Sequence, residues 1–553
     1  MTGWGRVDRR SGRGLGRRAL HRAVAGGLAA AGLAGSGGLG GGVVAGAAPA
    51  GVVPLEAVLP ASNVGVNEAF RAMPFARLCG AGWTRWTVQW FNLQPAPGPL
   101  NAHYFRDAQG RSVLEESVRQ GMKVAAMVLG TPEWAAQTPG LKAGSSVPRG
   151  LYEPVFVDGR PNQANTWGAF IFQLAESYRG LLDVLEIWNE VELPAHGSNA
   201  MYHTWAGSPA DYYQLLKVAS LAAKAANPGA RIVTAPYAYF RDKQEGRAAA
   251  LPFFEGFVAA LRADPLGASV FDVFALNAYR NPHDLWDRFY GGGPQLVEAA
   301  DRVGFRARLD ALGAGDKPIW ITETNSMPYD DPLPGWDPAS RNDRFRITLD
   351  EQASYVLQAY ALGLCAGYEK VFFQAMQDDP YPVPDELWGL VRHSGERENA
   401  DPARVRPAFV AYQLAARYLG DADRSQLFVQ LRPDSQGYAR YVARYAWAAH
   451  LAVFQKGTRR TSVLWNGTAE PLPVALRSWG AAAGIVDKYG QTSPVTPDER
   501  GHVHLTLGPA SRHFDLFGGD PPGYFYVGGS PLLVVEEGVP SDAPVEAPGF
   551  QPA

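Results

Sequence analysis

The chain has 553 residues, of which 46% are hydrophobic and 19% charged, with 15 Trp, 23 Tyr and 25 Phe and a formal charge of −3. The length calls for one large core plus a smaller one, and the balance of residue types is that of a soluble globular protein. Two cysteines, Cys79 and Cys365, exclude a disulfide framework, and each follows an apolar helical pattern that reads as a buried thiol.

Residues 1–50 stand apart. They hold seven Arg against one Asp, then a run of Ala, Gly, Val and Leu from Ala23 to Ala50. A basic start, an apolar middle and the small residues Ala48-Pro49-Ala50 predict an export signal cleaved near Ala50. Arg9-Arg10 and Arg17-Arg18 permit a twin-arginine route, although no full motif follows them. An uncleaved anchor is the competing reading, but the stretch is Gly-rich and weakly hydrophobic for a bilayer span. Cleavage leaves a secreted or extracytoplasmic protein of formal charge about −9, which weighs against nucleic acid or an anionic membrane as partner.

From Asn63 to about Gly420, short strand-like runs alternate with longer amphipathic ones. The strand candidates are Val64–Phe70, Trp83–Gln89, Lys123–Leu129, Val184–Glu190, Arg231–Pro236, Phe271–Asn277, Pro318–Glu323 and Lys370–Ala375. Helical patterns such as Trp167–Tyr178, Ala210–Ala226 and Gln352–Leu364 separate them, so each strand returns parallel to the last. Eight such units predict a closed (β/α)8 barrel over residues 51–420. No Gly-x-Gly-x-x-Gly follows the first strand, which removes the usual mark of an open dinucleotide-binding sheet.

After Gly420 the pattern becomes short strands punctuated by Gly, Pro, Asn and Asp: Phe428–Leu431, Arg440–Tyr445, Leu451–Gln455, Thr461–Trp465, Pro473–Leu476, His502–Leu507 and Leu532–Glu536. This predicts an antiparallel β-sandwich over residues 421–536, with a disordered polar tail from 537 to 553. Asn466-Gly467-Thr468 fits a glycosylation sequon and, preferably, a hairpin turn.

In such barrels the reacting groups sit at the C-terminal ends of strands. Two strand ends carry carboxylates with suggestive neighbours, Trp188-Asn189-Glu190 in the fourth and Ile321-Thr322-Glu323 in the seventh. Period-2 alternation puts Glu190 on the inward side together with Trp188. Cleaving a glycosidic bond needs two carboxyls, one to protonate the leaving oxygen and one to attack the anomeric carbon or activate water. Strands four and seven lie across a barrel, so their tips can straddle such a bond. A structural salt bridge is the alternative for either glutamate alone. Trp90, Trp134 and Trp388 follow strands two, three and eight and are candidate sugar platforms, with loop packing as the alternative. Gln374, at the end of strand eight, is a candidate hydroxyl partner.

On these residues, together with Gly65-Val66-Asn67, Trp83-Thr84-Arg85 and Thr131-Pro132-Glu133-Trp134-Ala135, the chain resembles clan A glycoside hydrolases, and most of all glycoside hydrolase family 39. That family holds β-xylosidases, α-iduronidases and exopolysaccharide hydrolases. The resemblance implies a retaining glycosidase with Glu190 as acid/base and Glu323 as nucleophile. It further implies Asn189 on the sugar 2-hydroxyl, Arg85 close to Glu323, and Tyr279 hydrogen-bonded to the nucleophile. Ion pairing of Arg85 with Glu186 is the competing reading for that arginine. Val191 departs from the proline usual after the acid/base, and Asn277 from the histidine that commonly precedes the tyrosine by two.

The implied partner is an oligo- or polysaccharide, with no cofactor and no metal: no His-Glu-x-x-His, clustered Cys/His or Gly-x-Ser-x-Gly occurs. Two rivals remain, a transglycosylase using the same carboxylates and a non-catalytic carbohydrate-binding barrel.

Overall fold

The structure is a computed structural model that describes residues 56–552, except for 142–143, 194–203, 239–249, 280, 292–302, 332–345, 380–386, 396, 432–446, 481, 514–524 and 544–550. The export segment therefore lies outside the described residues. Among those described, no helix is long and apolar enough to cross a membrane.

Eight parallel strands form one sheet: β1 (Ala61–Asn67), β2 (Ala81–Gln89), β3 (Lys123–Leu129), β4 (Val184–Ile187), β5 (Arg231–Thr234), β6 (Phe274–Asn277), β7 (Ile319–Thr324) and β8 (Lys370–Phe373). Each pairs with the next in the chain, β8 pairs with β1, and bridges Val233 to Val273 and Tyr237 to Leu276 join β5 to β6. The ring is a (β/α)8 barrel. The strands read as near-continuous apolar runs because helices cover their outer faces. Among these helices, Pro209–Ala226 and Thr348-capped Leu349–Ala366 both start with reciprocal capping boxes, Ser208 with Asp211 and Thr348 with Glu351.

Alternation along the strands fills the barrel in layers. Trp83, Ala125, Val184, Val233, Ala275, Trp320 and Phe372 form the apolar floor, with the Trp83 and Trp320 rings edge-on at 5.4 Å. Gly65 belongs to this level because a Cβ there would stand 2.4 Å from the Phe372 ring. Two residues further along, Asn67, Arg85, Glu186 and Asn277 make a buried polar layer at the C-terminal ends.

The β-domain has strands β9 (Arg424–Leu431), β10 (Trp447–Lys456), β11 (Arg459–Asn466), β12 (Leu472–Arg477), β13 (Ala482–Asp487), β14 (Thr492–Val495), β15 (His502–Leu507), β16 (Phe525–Val527) and β17 (Leu532–Glu537). One antiparallel sheet runs β9-β10-β11-β17-β13-β14, and β12 pairs with β15 in a second. Leu451, Leu464, Val474, Leu476, Val503 and Val534 pack between them as a sandwich core.

Several sequence expectations need correction. The fourth strand ends at Ile187, not Glu190. Asn466-Gly467-Thr468 is a turn, closed by Thr468 donating to Asn466 Oδ1 at 2.7 and 2.8 Å, but it is no hairpin, since it carries the chain from one sheet to the other. Strands β13, β14 and β16 are not among the strands expected from the sequence, and Arg440–Tyr445 lies outside the described residues. The tail is ordered at least to Ala543: Val539 donates to the Thr458 carbonyl at 2.9 Å, and the Ala543 carbonyl accepts from Arg460 at 3.1 Å. Cys79 is buried, whereas Cys365 is only half-buried.

The two domains meet in a buried polar seam. Gln358, on the helix after β7, accepts from the Gly528 N–H at 3.1 Å and donates to the Gly529 carbonyl at 3.0 Å. Tyr526 of β16 is 2% exposed; its hydroxyl donates to the Tyr279 carbonyl at 3.3 Å and lies 3.2 Å from Ser326 Oγ.

Candidate active site

Glu323 reaches the mouth of the barrel through an irregularity in β7. Alternation from Trp320 points Thr322 inward, where its hydroxyl donates to Asn277 Oδ1 at 2.9 Å, and would turn Glu323 outward. The register shifts on both sides of the strand, so that Ile321 and Glu323 face Leu276 and Asn277, and Ile321 and Thr324 face Val371 and Phe373. One extra residue, a β-bulge, re-aims Glu323 into the cleft. There Arg85 Nη1 donates to its Oε1 at 2.6 Å and the Tyr279 hydroxyl to its Oε2 at 2.5 Å.

Arg85 carries both of the roles weighed for it. Its Nη2 and Nε donate to Glu186, which is fully buried, at 2.6 and 3.0 Å, and Nη2 reaches Asn189 Oδ1 at 3.3 Å. Burial works against its charge, but Glu186 and Glu323 outweigh that and hold it cationic. Burial likewise opposes ionisation of Glu323, and Arg85 with the Tyr279 hydrogen bond reverses it, so this carboxyl lies below the ordinary glutamate range. Tyr279, buried beside that negative charge, keeps its proton and serves as donor.

Glu190 arrives by a different route from the one alternation suggested. Beyond Ile187 the backbone is left-handed at Trp188 (φ 75°) and again at Glu190 (φ 42°). Trp188 leans to the helix side, its ring 5.0 Å from Trp205 and 6.2 Å from Trp167, and its Nε1 donates to the Thr204 carbonyl at 2.6 Å. Glu190 faces the other way, and Asn277 Nδ2 donates to its Oε1 at 2.8 Å. Burial first, and then the charge on Glu323, push the Glu190 carboxyl up to about 7. The two carboxyls are thus pushed in opposite directions, Glu190 up and Glu323 down. Asn277, noted in the sequence only as a departure from the histidine expected two residues before Tyr279, is the residue that contacts Glu190.

A small, partly enclosed cleft is lined by Asn67, Glu68, Arg85, Thr87, Met127, Asn189, Glu323 and Gln374. Gln374 accepts from Asn67 Nδ2 at 2.6 Å. Trp388 is not among these lining residues; it is buried with Tyr279 and Met327, its ring 5.1 Å from that of Tyr279. Trp90 is not brought to the site. It is fully buried, stacked on Phe170 at 4.7 Å with Nε1 bonded to Gln94. Trp134 packs edge-on against it at 5.8 Å, and its Nε1 is bonded to the Gln94 carbonyl. Both belong to the packing outside β2 and β3. Among the described residues, no group of His, Cys, Asp and Glu is arranged to hold a metal ion.

No protein-family model matches the chain, and no curated protein does. Solved structures do. A family 30 endoxylanase from Clostridium papyrosolvens C71 (9% identity, 87% of this chain and 98% of that one, TM-score 0.48) and a monomeric β-xylosidase from Caulobacter crescentus CB15 (13%, 87% and 98%, 0.46) superpose too loosely to carry weight. A family 39 glycoside hydrolase from the gut symbiont Bacteroides cellulosilyticus WH2 superposes with TM-score 0.55 at 16% identity, over 86% of this chain and 81% of that one. The chain shares the fold of that family 39 glycoside hydrolase.

Proposed function

We propose that the protein is a retaining glycoside hydrolase that cleaves a β-linked glycan, with Glu190 as general acid/base and Glu323 as nucleophile. The observation that carries this reading is the split between the two carboxyls: Glu323 held ionised by Arg85 and Tyr279, Glu190 pushed up to about 7 at the same mouth. In the first step Glu190 protonates the leaving oxygen as Glu323 Oε2 or Oε1 attacks the anomeric carbon. The glycosyl-enzyme ester forms as the glycosidic C–O bond breaks. In the second, Glu190, now a carboxylate, takes a proton from water, which displaces Glu323. Asn189, fixed by Arg85, binds the sugar 2-hydroxyl, and Gln374 lines the glycone site. The sequence of residues 1–50 supports export before action on an extracytoplasmic oligo- or polysaccharide.

The test is chemical rescue on an activated aryl glycoside. Glu323→Ala should lose several powers of ten in turnover, and azide should restore it with inverted product. Glu190→Ala should still form the glycosyl-enzyme from a good leaving group, and azide should release it with retained configuration. Reversed stereochemistry, or substantial activity of Glu323→Ala without azide, would overturn the assignment.

A further inference from the structure

Glu68 has no part in the double displacement, yet it lines the same cleft as Glu323, Arg85 and Asn189. It follows the last residue of β1 in a left-handed conformation (φ 55°, ψ 43°). Its N–H donates to the Arg85 carbonyl at 2.9 Å and its own carbonyl accepts from the Arg71 N–H at 3.0 Å. The backbone is therefore pinned to β2, and a strained conformation at a non-glycine residue persists only where its surroundings fix it. The side chain is 10% exposed. Its Oε2 pairs with Arg71 Nε at 2.5 Å, and Arg71 also pairs with Asp379. Its Oε1 has the Thr87 hydroxyl at 3.4 Å, beyond a good O–H···O distance.

A carboxylate oxygen accepts two hydrogen bonds, so Oε1 offers acceptor capacity to whatever fills the cleft. Of its neighbours at this wall, Asn67 has its Nδ2 engaged by the Thr322 carbonyl and Gln374 Oε1, while its buried Oδ1 is a second open acceptor. The cation lining the cleft among the described residues is Arg85, already held by Glu186 and Glu323. Sugar hydroxyls are donors and match such a wall. A sugar carboxylate would bring a further acidic group beside Glu68 and Glu323, whose neighbouring cations, Arg71 and Arg85, are already paired with them.

We infer that Glu68 is a specificity-determining residue whose Oε1 accepts from a hydroxyl of the sugar ring attacked by Glu323, so that the cleft takes a neutral glycone rather than a uronic acid. The inference rests on the glycosidase reading, and its test separates the two. Wild type and Glu68→Gln are assayed on neutral aryl glycosides, on their monodeoxy analogues at each ring position other than the anomeric one, and on the matching aryl uronides. With the parent sugar, Glu68→Gln should lose about 10- to 100-fold in kcat/KM, the usual scale for a hydrogen bond to a charged group. For one deoxy position, wild type should lose a similar factor while Glu68→Gln loses little more, since the partnering hydroxyl is already gone. The uronides should be turned over at least tenfold more slowly by wild type, and Glu68→Gln should narrow that ratio.

A loss that is equal for the parent and every deoxy sugar would mean that Glu68 serves only the fold, and would overturn the inference while leaving the glycosidase reading intact. So would uronides turned over faster than neutral glycosides. Glu68→Asp, which keeps the charge but draws it back, provides a second variant. It should show the same selective loss, and thermal unfolding of both variants reports whether the fold is kept. Wild type inactive on every glycoside would overturn both readings.

Discussion

Arg85 Nη1 stands 2.6 Å from Glu323 Oε1 while the opposite edge of the same guanidinium is held by Glu186, a carboxylate with no exposure to solvent. The planar fork makes this double engagement possible, and a lysine could not reproduce it. Replacing Arg85 with Lys or Ala leaves Glu186 buried without its partner. It should destabilise the protein by about 3–5 kcal/mol, the cost of breaking a buried pair from one side. It should also lower kcat by about 100-fold or more by loosening Glu323. Denaturant unfolding and steady-state kinetics check the two effects. Double replacement of Arg85 and Glu186 by apolar residues should recover stability but not activity.

Acid catalysis by Glu190 requires its proton, and its carboxyl is pushed up to about 7. Raising the pH through that value removes the proton, so kcat/KM for a substrate with a poor leaving group should fall along an alkaline limb near pH 7. Glu323, held below the ordinary range, sets the acidic limb, where protonation removes the nucleophile. A pH–rate profile reads both limbs. In Glu190→Gln the alkaline limb should vanish on an activated substrate.

Asn277 Nδ2 donates to Glu190 and so favours its ionised form. Asn277→Ala should move the alkaline limb to higher pH and lower kcat by about tenfold, since the acid also loses its orienting contact. A limb that moves to lower pH would show that the contact stabilises the protonated form instead.

The tryptophans should separate by kind. Trp90→Ala removes a fully buried ring stacked on Phe170 and should cost about 3–5 kcal/mol of stability with KM unchanged. Trp388→Ala, beside Tyr279, should lower kcat/KM by about 10- to 100-fold with a smaller stability loss. Thermal unfolding paired with kinetics on one aryl glycoside distinguishes them.

The alternation of apolar runs made all eight barrel strands legible, because strands covered by helices leave a continuous hydrophobic record. Trp90 was misplaced because sequence shows that an aromatic follows a strand, not which way the chain turns. Glu190 stands at the mouth for a reason that period-2 reading could not supply, two left-handed residues after the strand has ended. The bulge that turns Glu323 inward is equally silent in sequence, because nothing in Ile321-Thr322-Glu323 marks the extra residue until its neighbours β6 and β8 fix the register. The β-domain was read by its turns, so β13, interrupted by Gly484, β14, with Ser493 and Pro494 inside it, and β16, only three residues long, escaped.

Tyr526 belongs to the β-sandwich, yet its hydroxyl holds the carbonyl of the tyrosine that steadies Glu323. The sandwich is thus no detachable accessory: a barrel expressed alone would open the seam at Gln358 and release Tyr279 from behind. Grafting this barrel onto a foreign partner would require a replacement for that one hydroxyl, and the two halves should melt together as a single transition.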